Sequence, residues 1–136
     1  MNLSTKGRYG LRAMCELADA SGGEPLSLSR IAENQNLSVR YLEQLFHLLR
    51  TGGYVISTRG AKGGYSLSRP PEEITVGEIL RVLDGDISPV GCGDTCADCN
   101  EPDICYTRPL WTELNQAVYQ VMDNKTLDDL IKKEKL

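Results

Sequence analysis

The stretch between Ser38 and Ser68 constrains the fold more than any other part of the chain. Val39, Leu42, Leu45, Phe46 and Leu49 recur at spacings of three and four, which predicts a helix with one apolar side. The opposite side carries Arg40, Glu43, Gln44 and His47, with Tyr41 and Arg50 at the margin. Ser38 suits the N-cap and Gly52-Gly53 the stop, so the helix should end near residue 51. The pattern then shortens. Residues 54–58 and 65–68 read as two short strands around Arg59-Gly-Ala-Lys-Gly-Gly64, a basic, glycine-rich tip. A helix running straight into a two-stranded ribbon with a cationic tip leaves few arrangements open.

The preceding segments narrow them further. Leu11, Met14, Cys15, Leu17 and Ala18 predict a helix over residues 5–20, stopped by Gly22-Gly23. A shorter helix over 28–35 buries Ile31 and Ala32, with Ser27 or Ser29 as its cap and Asn36-Leu37 as the following turn. Two helices joined by a tight turn make a helix-turn-helix candidate, and the ribbon after it makes the arrangement a winged one. The polar side chains of the third helix have the reach and chemistry to read base edges. Arg59 and Lys62 can enter a minor groove or pair with phosphates. An ordinary solvated helix face is the competing reading. For the tip, a nucleotide-cradling loop is disfavoured, because Lys62-Gly-Gly is not followed by Ser or Thr and no helix starts there.

Charge distribution agrees with a polyanion on one side only. The net charge is −4, but residues 1–69 hold nine Lys/Arg against five Asp/Glu, whereas residues 70–136 hold six against fourteen. The first part is therefore +4 and the second −8.

Beyond Arg69-Pro-Pro-Glu-Glu73, a natural linker, Thr75-Val-Gly-Glu78 reads as a capping box opening a short helix through Leu83. Leu110, Leu114, Ala117, Val118 and Val121 then recur at helical spacing over about 109–122, with Trp111 and Met122 widening the stripe. Only 40% of the 136 residues are apolar and 6% aromatic, so the core is modest and shared apolar surface is expected. That stripe suits a homodimer interface; packing back on its own domain is the alternative. A final amphipathic helix should occupy about 126–136. No apolar run reaches membrane-spanning length, and the opening residues lack a signal-peptide core, so a cytosolic protein is expected.

Four of the five cysteines, Cys92, Cys96, Cys99 and Cys105, fall within fourteen residues of loop-like composition. In a reducing compartment such a cluster reads as metal ligands or redox groups rather than disulfides. The spacing Cys-x3-Cys-x2-Cys-x5-Cys supplies one zinc-knuckle pair, Cys96 and Cys99, and lacks the second. No strand-to-helix junction holds a thioredoxin-type dithiol. Thiolates on a compact loop suit an iron–sulfur cluster, although Asp94, Asp98, Glu101 and Asp103 add negative charge beside it. Iron–sulfur, zinc and thiol redox chemistry all remain open from spacing alone. The fifth, Cys15, lies on the apolar stripe of the first helix and reads as inert packing.

These residues resemble the bacterial Rrf-type winged-helix regulators, most closely the branch that senses iron–sulfur clusters. The resemblance lies in Leu3-Ser-Thr-Lys-Gly-Arg-Tyr-Gly-Leu-Arg12, Ile31-Ala32, Ser38-Val-Arg-Tyr-Leu-Glu-Gln-Leu45, Arg59-Gly-Ala-Lys-Gly-Gly-Tyr65 and Thr75-Val-Gly-Glu-Ile-Leu80, and covers nearly the whole chain. It implies a mainly α fold with a two-stranded wing, and a homodimer formed through a long helix. The winged helix-turn-helix head would be residues 1–69, a linker and short helix 70–86, a cysteine-rich loop 87–107, and the dimerisation helix with its tail 108–136. Contacts to double-stranded operator DNA would come from Ser38, Arg40, Tyr41, Glu43, Gln44, Arg59 and Lys62, and the interface from Leu110, Leu114, Val118 and Val121.

Cluster-binding members use three cysteines and one other ligand, often a His soon after the last cysteine. Here Cys92, Cys99 and Cys105 would be the three, with six rather than five residues between the first two. Tyr106-Thr-Arg-Pro109 offers no His, which leaves Cys96, a carboxylate or an exogenous group as the fourth ligand. The implied function is transcription regulation, as a repressor of cluster-assembly genes, through a 2Fe–2S cluster or, as in nitric-oxide-responsive relatives, a 4Fe–4S one. A cluster-free regulator of thiol or cysteine metabolism is the alternative within the fold. A zinc or dithiol redox enzyme lacks support, since the chain has one His, His47, and no nucleophile–base motif.

Overall fold

A computed structural model describes residues 3–20, 23–91 and 105–134, with side chains to Lys132. Six helices and one ribbon follow in order: α1 Thr5–Asp19, α2 Leu28–Gln35, α3 Val39–Thr51, β1 Val55–Thr58, β2 Gly64–Leu67, α4 Val76–Asp84, α5 Arg108–Asn124 and α6 Leu127–Glu134. The mainly helical fold with an antiparallel two-stranded wing is as expected, and the described elements start and stop within about two residues of their sequence signals.

Local chemistry sets those boundaries. The hydroxyls of Ser4, Ser27 and Ser38 accept the N–H groups of Lys6, Arg30 and Tyr41 at 3.1–3.2 Å, so each of the first three helices opens on a serine cap. Asn36 ends α2 in the left-handed region, at φ 56° and ψ 46°, a conformation that Asn tolerates better than most residues. The Leu37 N–H then returns to the Ala32 carbonyl at 2.9 Å, tightening the turn into α3. Thr75 and Glu78 form the reciprocal capping box at the start of α4.

The main core joins Met14 and Leu17 of α1, Ile31 of α2, Leu42, Leu45, Phe46 and Leu49 of α3, Val55 of β1 and Ile79 of α4. Two glycines allow α1 and α4 to meet closely. A Cβ on Gly7 would overlap the Asp84 carboxylate, and one on Gly10 would overlap the Leu83 side chain. Ser4 also hydrogen-bonds the Asp84 carboxylate, tying the start of α1 to the end of α4.

One part of the core was not legible in the sequence. Leu127, from the segment read as a tail, is fully buried in the main cluster, and α6 packs on α1. The backbone arranges this: Val76 N–H donates to the Lys125 carbonyl at 2.8 Å, and Leu127 N–H to the Ile74 carbonyl at 3.0 Å. Thr126 and Asp129 then cap α6 reciprocally, as Thr75 and Glu78 cap α4 alongside. Hydrogen bonds from Thr126 hold the Asp129 carboxyl below the usual carboxylate range.

Gly10→Ala should cost about 1–3 kcal/mol, because the added methyl must push Leu83 out of a packed position. Urea denaturation at fixed protein concentration measures it, and an unchanged midpoint would contradict the close α1–α4 approach.

Candidate nucleic-acid interface and sensor segment

Burial of one side of α3 dictates what the other side offers. With Leu42, Leu45, Phe46 and Leu49 all within 1% of complete burial, Arg40, Glu43, Gln44 and His47 point to solvent. None of the side chains of Arg40, Glu43 and Gln44 has a hydrogen-bond or ion-pair partner among the described residues. Polar groups left unpaired on a rigid helix are available to base edges.

Three residues of this helix need separate comment. Ser38 sits at its exposed N-terminus and uses its oxygen as the cap. Tyr41 does not stand on the open face. It is half-buried, its hydroxyl donates to Thr5 Oγ1 at 3.1 Å, and its ring meets Tyr9 edge-on at 6.3 Å, so it fastens α3 to α1. Val39, expected on the apolar side, is 38% exposed. It lies one helical turn before Glu43, so its methyl groups join the open face, where they could meet a thymine methyl. The i, i+4, i+8 relation of Val39, Glu43 and His47 was the available signal.

The wing that follows this helix carries two further cations. Val55 pairs with Leu67 and Thr58 with Gly64 across the ribbon, while Gly60 (φ 108°) and Gly64 (φ 147°) take backbone conformations that side chains disfavour. The Gly63 N–H closes the tip on the Gly60 carbonyl at 3.0 Å. Arg59 and Lys62 are exposed there without partners among the described residues. Ile56, 52% exposed on β1, is a further apolar group on the wing.

The approach to the cysteine segment is anchored on α5. Asn115 is the buried residue of that helix, and its side-chain amide acts like a strand partner for Val90. Nδ2 donates to the Val90 carbonyl at 2.9 Å and Oδ1 accepts the Val90 N–H at 3.2 Å. One turn further on, Tyr119 hydrogen-bonds the Ser88 hydroxyl. Asp86 is held below the usual carboxylate range by hydrogen bonds from the Ser88 hydroxyl and N–H. Nothing in the sequence pattern singles out Asn115, because its partner is a backbone group and leaves no pattern.

On the far side of the segment, Cys105 precedes α5. The Thr107 hydroxyl lies 3.5 Å from its sulfur, and this contact, the Thr107 and Arg108 N–H groups and the Arg108 charge hold the thiol below the usual thiol range. A favoured thiolate is what metal ligation and thiol chemistry both need. Cys92, Cys96 and Cys99 lie outside the described residues. Among the described residues no group of three His, Cys, Asp or Glu side chains converges as a metal site. Cys15, on α1, is half-buried beside the core, as its place on the apolar stripe implied.

A polar helix face, a basic wing tip and the residues that flank the cysteine segment on either side are now placed. The family of iron-dependent transcriptional regulators called Rrf2 matches residues 3–133. The chain belongs to the Rrf2 family. It is 49% identical to the HTH-type transcriptional regulator CymR of Bacillus subtilis, over 96% of this chain and 89% of that one. The structure of CymR, described as the global cysteine regulator of B. subtilis, superposes with a TM-score of 0.84 over 98% of both chains. The T. potens IscR structure superposes at 0.81 with 42% identity, over 98% of this chain and 88% of that one.

These relatives are transcription regulators rather than enzymes, so the chain is a winged-helix DNA-binding regulator. The sequence resemblance pointed most closely to the iron–sulfur branch represented by IscR. Identity to CymR is higher than to T. potens IscR, so the comparisons establish the family and leave the branch open.

Lys62→Ala should weaken operator and random DNA alike and make the salt dependence shallower by up to about one unit, whereas Gln44→Ala should lose about 1–3 kcal/mol at particular base pairs only. Fluorescence anisotropy across a salt series and a substituted operator set separates the two. For Cys105, the depressed pKa means that the thiolate persists to lower pH than in a free thiol. Metal-free protein should alkylate there with a pH midpoint below that of free cysteine, and Thr107→Val should move the midpoint upward.

Proposed function

We propose that the protein is a homodimeric repressor that senses an iron–sulfur cluster through the segment containing Cys92, Cys96, Cys99 and Cys105. The single observation carrying this reading is the placement of four cysteines in fourteen residues between a DNA-reading head and a helix with an unpartnered apolar stripe. Cys92, Cys99 and Cys105 would hold the cluster, with Cys96 the nearest fourth ligand. The donor chemistry fits at the position described: Cys105 is partly accessible and its thiolate is favoured. A bound cluster supplies a redox- and iron-sensitive group, 2Fe–2S in this reading, with 4Fe–4S compatible with the same four thiols. What the chain supplies is leverage: Cys105 lies just before α5, and Asn115 holds Val90, at the other side of the segment, to the same helix.

The dimer reading rests on α5. Leu110, Leu114 and Val121 are 54%, 40% and 54% exposed and share one side of the helix with the exposed Ala117. Val118 is half-buried and Asn115, Tyr119 and Met122 face the protein's own second cluster or loop, so the helix has one side committed and one free. A second copy of the same stripe is the occupant that a small core calls for. In such a dimer two recognition helices would reach half-sites about 34 Å apart on double-stranded operator DNA. Ser38, Arg40, Glu43, Gln44, Arg59 and Lys62 would make the contacts, with Tyr41 positioning α3.

A second reading has a specific observation behind it. The greater identity to CymR favours a cluster-free regulator of cysteine metabolism, in which the same thiols act by reversible oxidation. No described helix is long and apolar enough to cross a membrane, and either reading places the regulator with the DNA in the cytoplasm.

Anaerobic purification followed by a visible spectrum and iron, sulfide and zinc analysis decides between them. Stoichiometric iron and sulfide with visible absorption is expected; colourless protein, with or without zinc, would discard the cluster. Paired changes Leu114→Asp and Val121→Asp should convert the dimer into monomer on analytical ultracentrifugation and abolish operator binding.

A further inference from the structure

The reading side of α3 leaves unexplained a cleft on the flank of the head. It has a volume of about 560 Å³ and lies between the first turn of α2 and the wing tip, lined by Glu24, Leu26, Ser27, Arg30, Lys62 and Gly63 among others. The two walls are fastened to each other. Leu26 N–H donates to the Tyr65 carbonyl at 2.9 Å, and Tyr65 N–H returns to the Leu26 carbonyl at 2.8 Å. Gly64 is required at this junction, because a Cβ there would collide with the Leu26 backbone. Arg30 and Lys62 are therefore presented from two elements whose spacing the backbone sets.

Neither cation has an ion pair or side-chain hydrogen bond among the described residues, and both are exposed. The acid of the lining, Glu24, is also exposed and likewise unpaired among the described residues. The Ser27 oxygen already accepts the Arg30 N–H at 3.2 Å, which leaves its hydroxyl hydrogen available to donate outward. Two cations and one hydroxyl donor facing a shared cleft form a receptor for a single anion.

We propose that this cleft is a phosphate clamp, in which Arg30 and Lys62 close on one phosphodiester of the DNA backbone beside the base pairs that α3 reads. The proposal rests on the DNA-face reading above and adds Arg30, Ser27 and Glu24 to it. DNA is the source of the phosphate because Lys62 belongs to the same exposed wing tip as Arg59, which the DNA-face reading assigns to the operator. A clamp spanning α2 and the wing fixes the register of α3 along the groove, since a backbone contact positions a reader without selecting sequence. Glu24 opposes the phosphate and limits the affinity of this contact for any duplex.

The test is a salt series of fluorescence-anisotropy titrations of the full chain, using an operator selected from a randomised duplex pool and a scrambled duplex. Arg30→Ala should weaken both duplexes by the same factor, on the order of tenfold. Glu24→Gln should tighten both. Because one phosphate is shared, the Arg30→Ala, Lys62→Ala double variant should make the salt slope shallower by about 0.9, the value for one phosphate. A change of about 1.8 means two separate phosphates and overturns the clamp. Unchanged binding by Arg30→Ala beside a weakened Lys62→Ala also overturns it, while leaving the winged DNA face standing. Silence of Arg30→Ala, Lys62→Ala and Gln44→Ala together removes the DNA face itself and the clamp with it. In DNA-free protein, inorganic phosphate should not raise the melting midpoint; a rise lost in Arg30→Ala would mark a free-anion site and overturn the assignment to DNA.

Discussion

The dry side of α3 is the constraint on which the rest of the head depends. Burying Phe46, Leu42, Leu45 and Leu49 is worth about 1.5–3 kcal/mol for each side chain, more than any polar contact on the opposite side can offset. That preference sets the rotation of the helix about its axis. Once it is set, Arg40, Glu43, Gln44 and His47 must face outward, whatever they bind. Tyr41, at the boundary, is turned to a structural task by Thr5 and Tyr9. The wing is then placed by a second, independent device. Leu26 pairs with Tyr65 through two backbone hydrogen bonds, so the ribbon is held to the chain before α2 as well as following α3.

Among the described residues, the flanks of the cysteine segment meet α5 through a few specific interactions. Asn115 contributes both its amide groups to Val90, Tyr119 meets Ser88, and Cys105 lies just before α5. Arg81 of α4 makes a two-pronged bridge to Asp123 of α5, at 2.6 and 3.0 Å, and lies over the Tyr119 ring. The bridge holds Asp123 below the usual carboxylate range, so its contribution is present at neutral pH and lost as pH falls through that lowered pKa. Both groups are well exposed, which limits the bridge to roughly 1 kcal/mol or less. Its geometric consequence is larger than its energy. A Cβ on Gly77 would collide with the Asp123 carboxylate, so α4 and α5 approach over a glycine, as α1 and α4 do over Gly7 and Gly10. The residues flanking the cysteine segment thus contact α5, and α4 lies between α5 and the helices of the head.

The family match takes in residues 3–133, so it covers the head and the helices that follow it alike. In the proposed reading the sensing chemistry would reside in a handful of thiols, whose weight in an identity figure is small. High identity to CymR and four clustered cysteines are therefore not in conflict. In that reading the overall identity establishes the family, and the cysteines would bear on what the protein responds to.

Periodicity and caps in the sequence determined the helices, the ribbon and the exposed polar side of α3, because each of these is decided by residues within a few positions of one another. The serine caps, the Thr75–Glu78 box and the glycine-rich wing tip are all such local signals. The cysteine cluster was equally legible, as a count and a spacing. Tertiary structure alone decided the burial of Leu127 in the main core, the exposure of Val39, the withdrawal of Tyr41 and the attachment of Val90 to Asn115. It alone also brought Arg30 and Lys62, thirty-two positions apart, to one cleft. These relations depend on which surfaces meet across long separations. The last two also depend on hydrogen bonds to backbone groups, which any residue can offer and no residue pattern records.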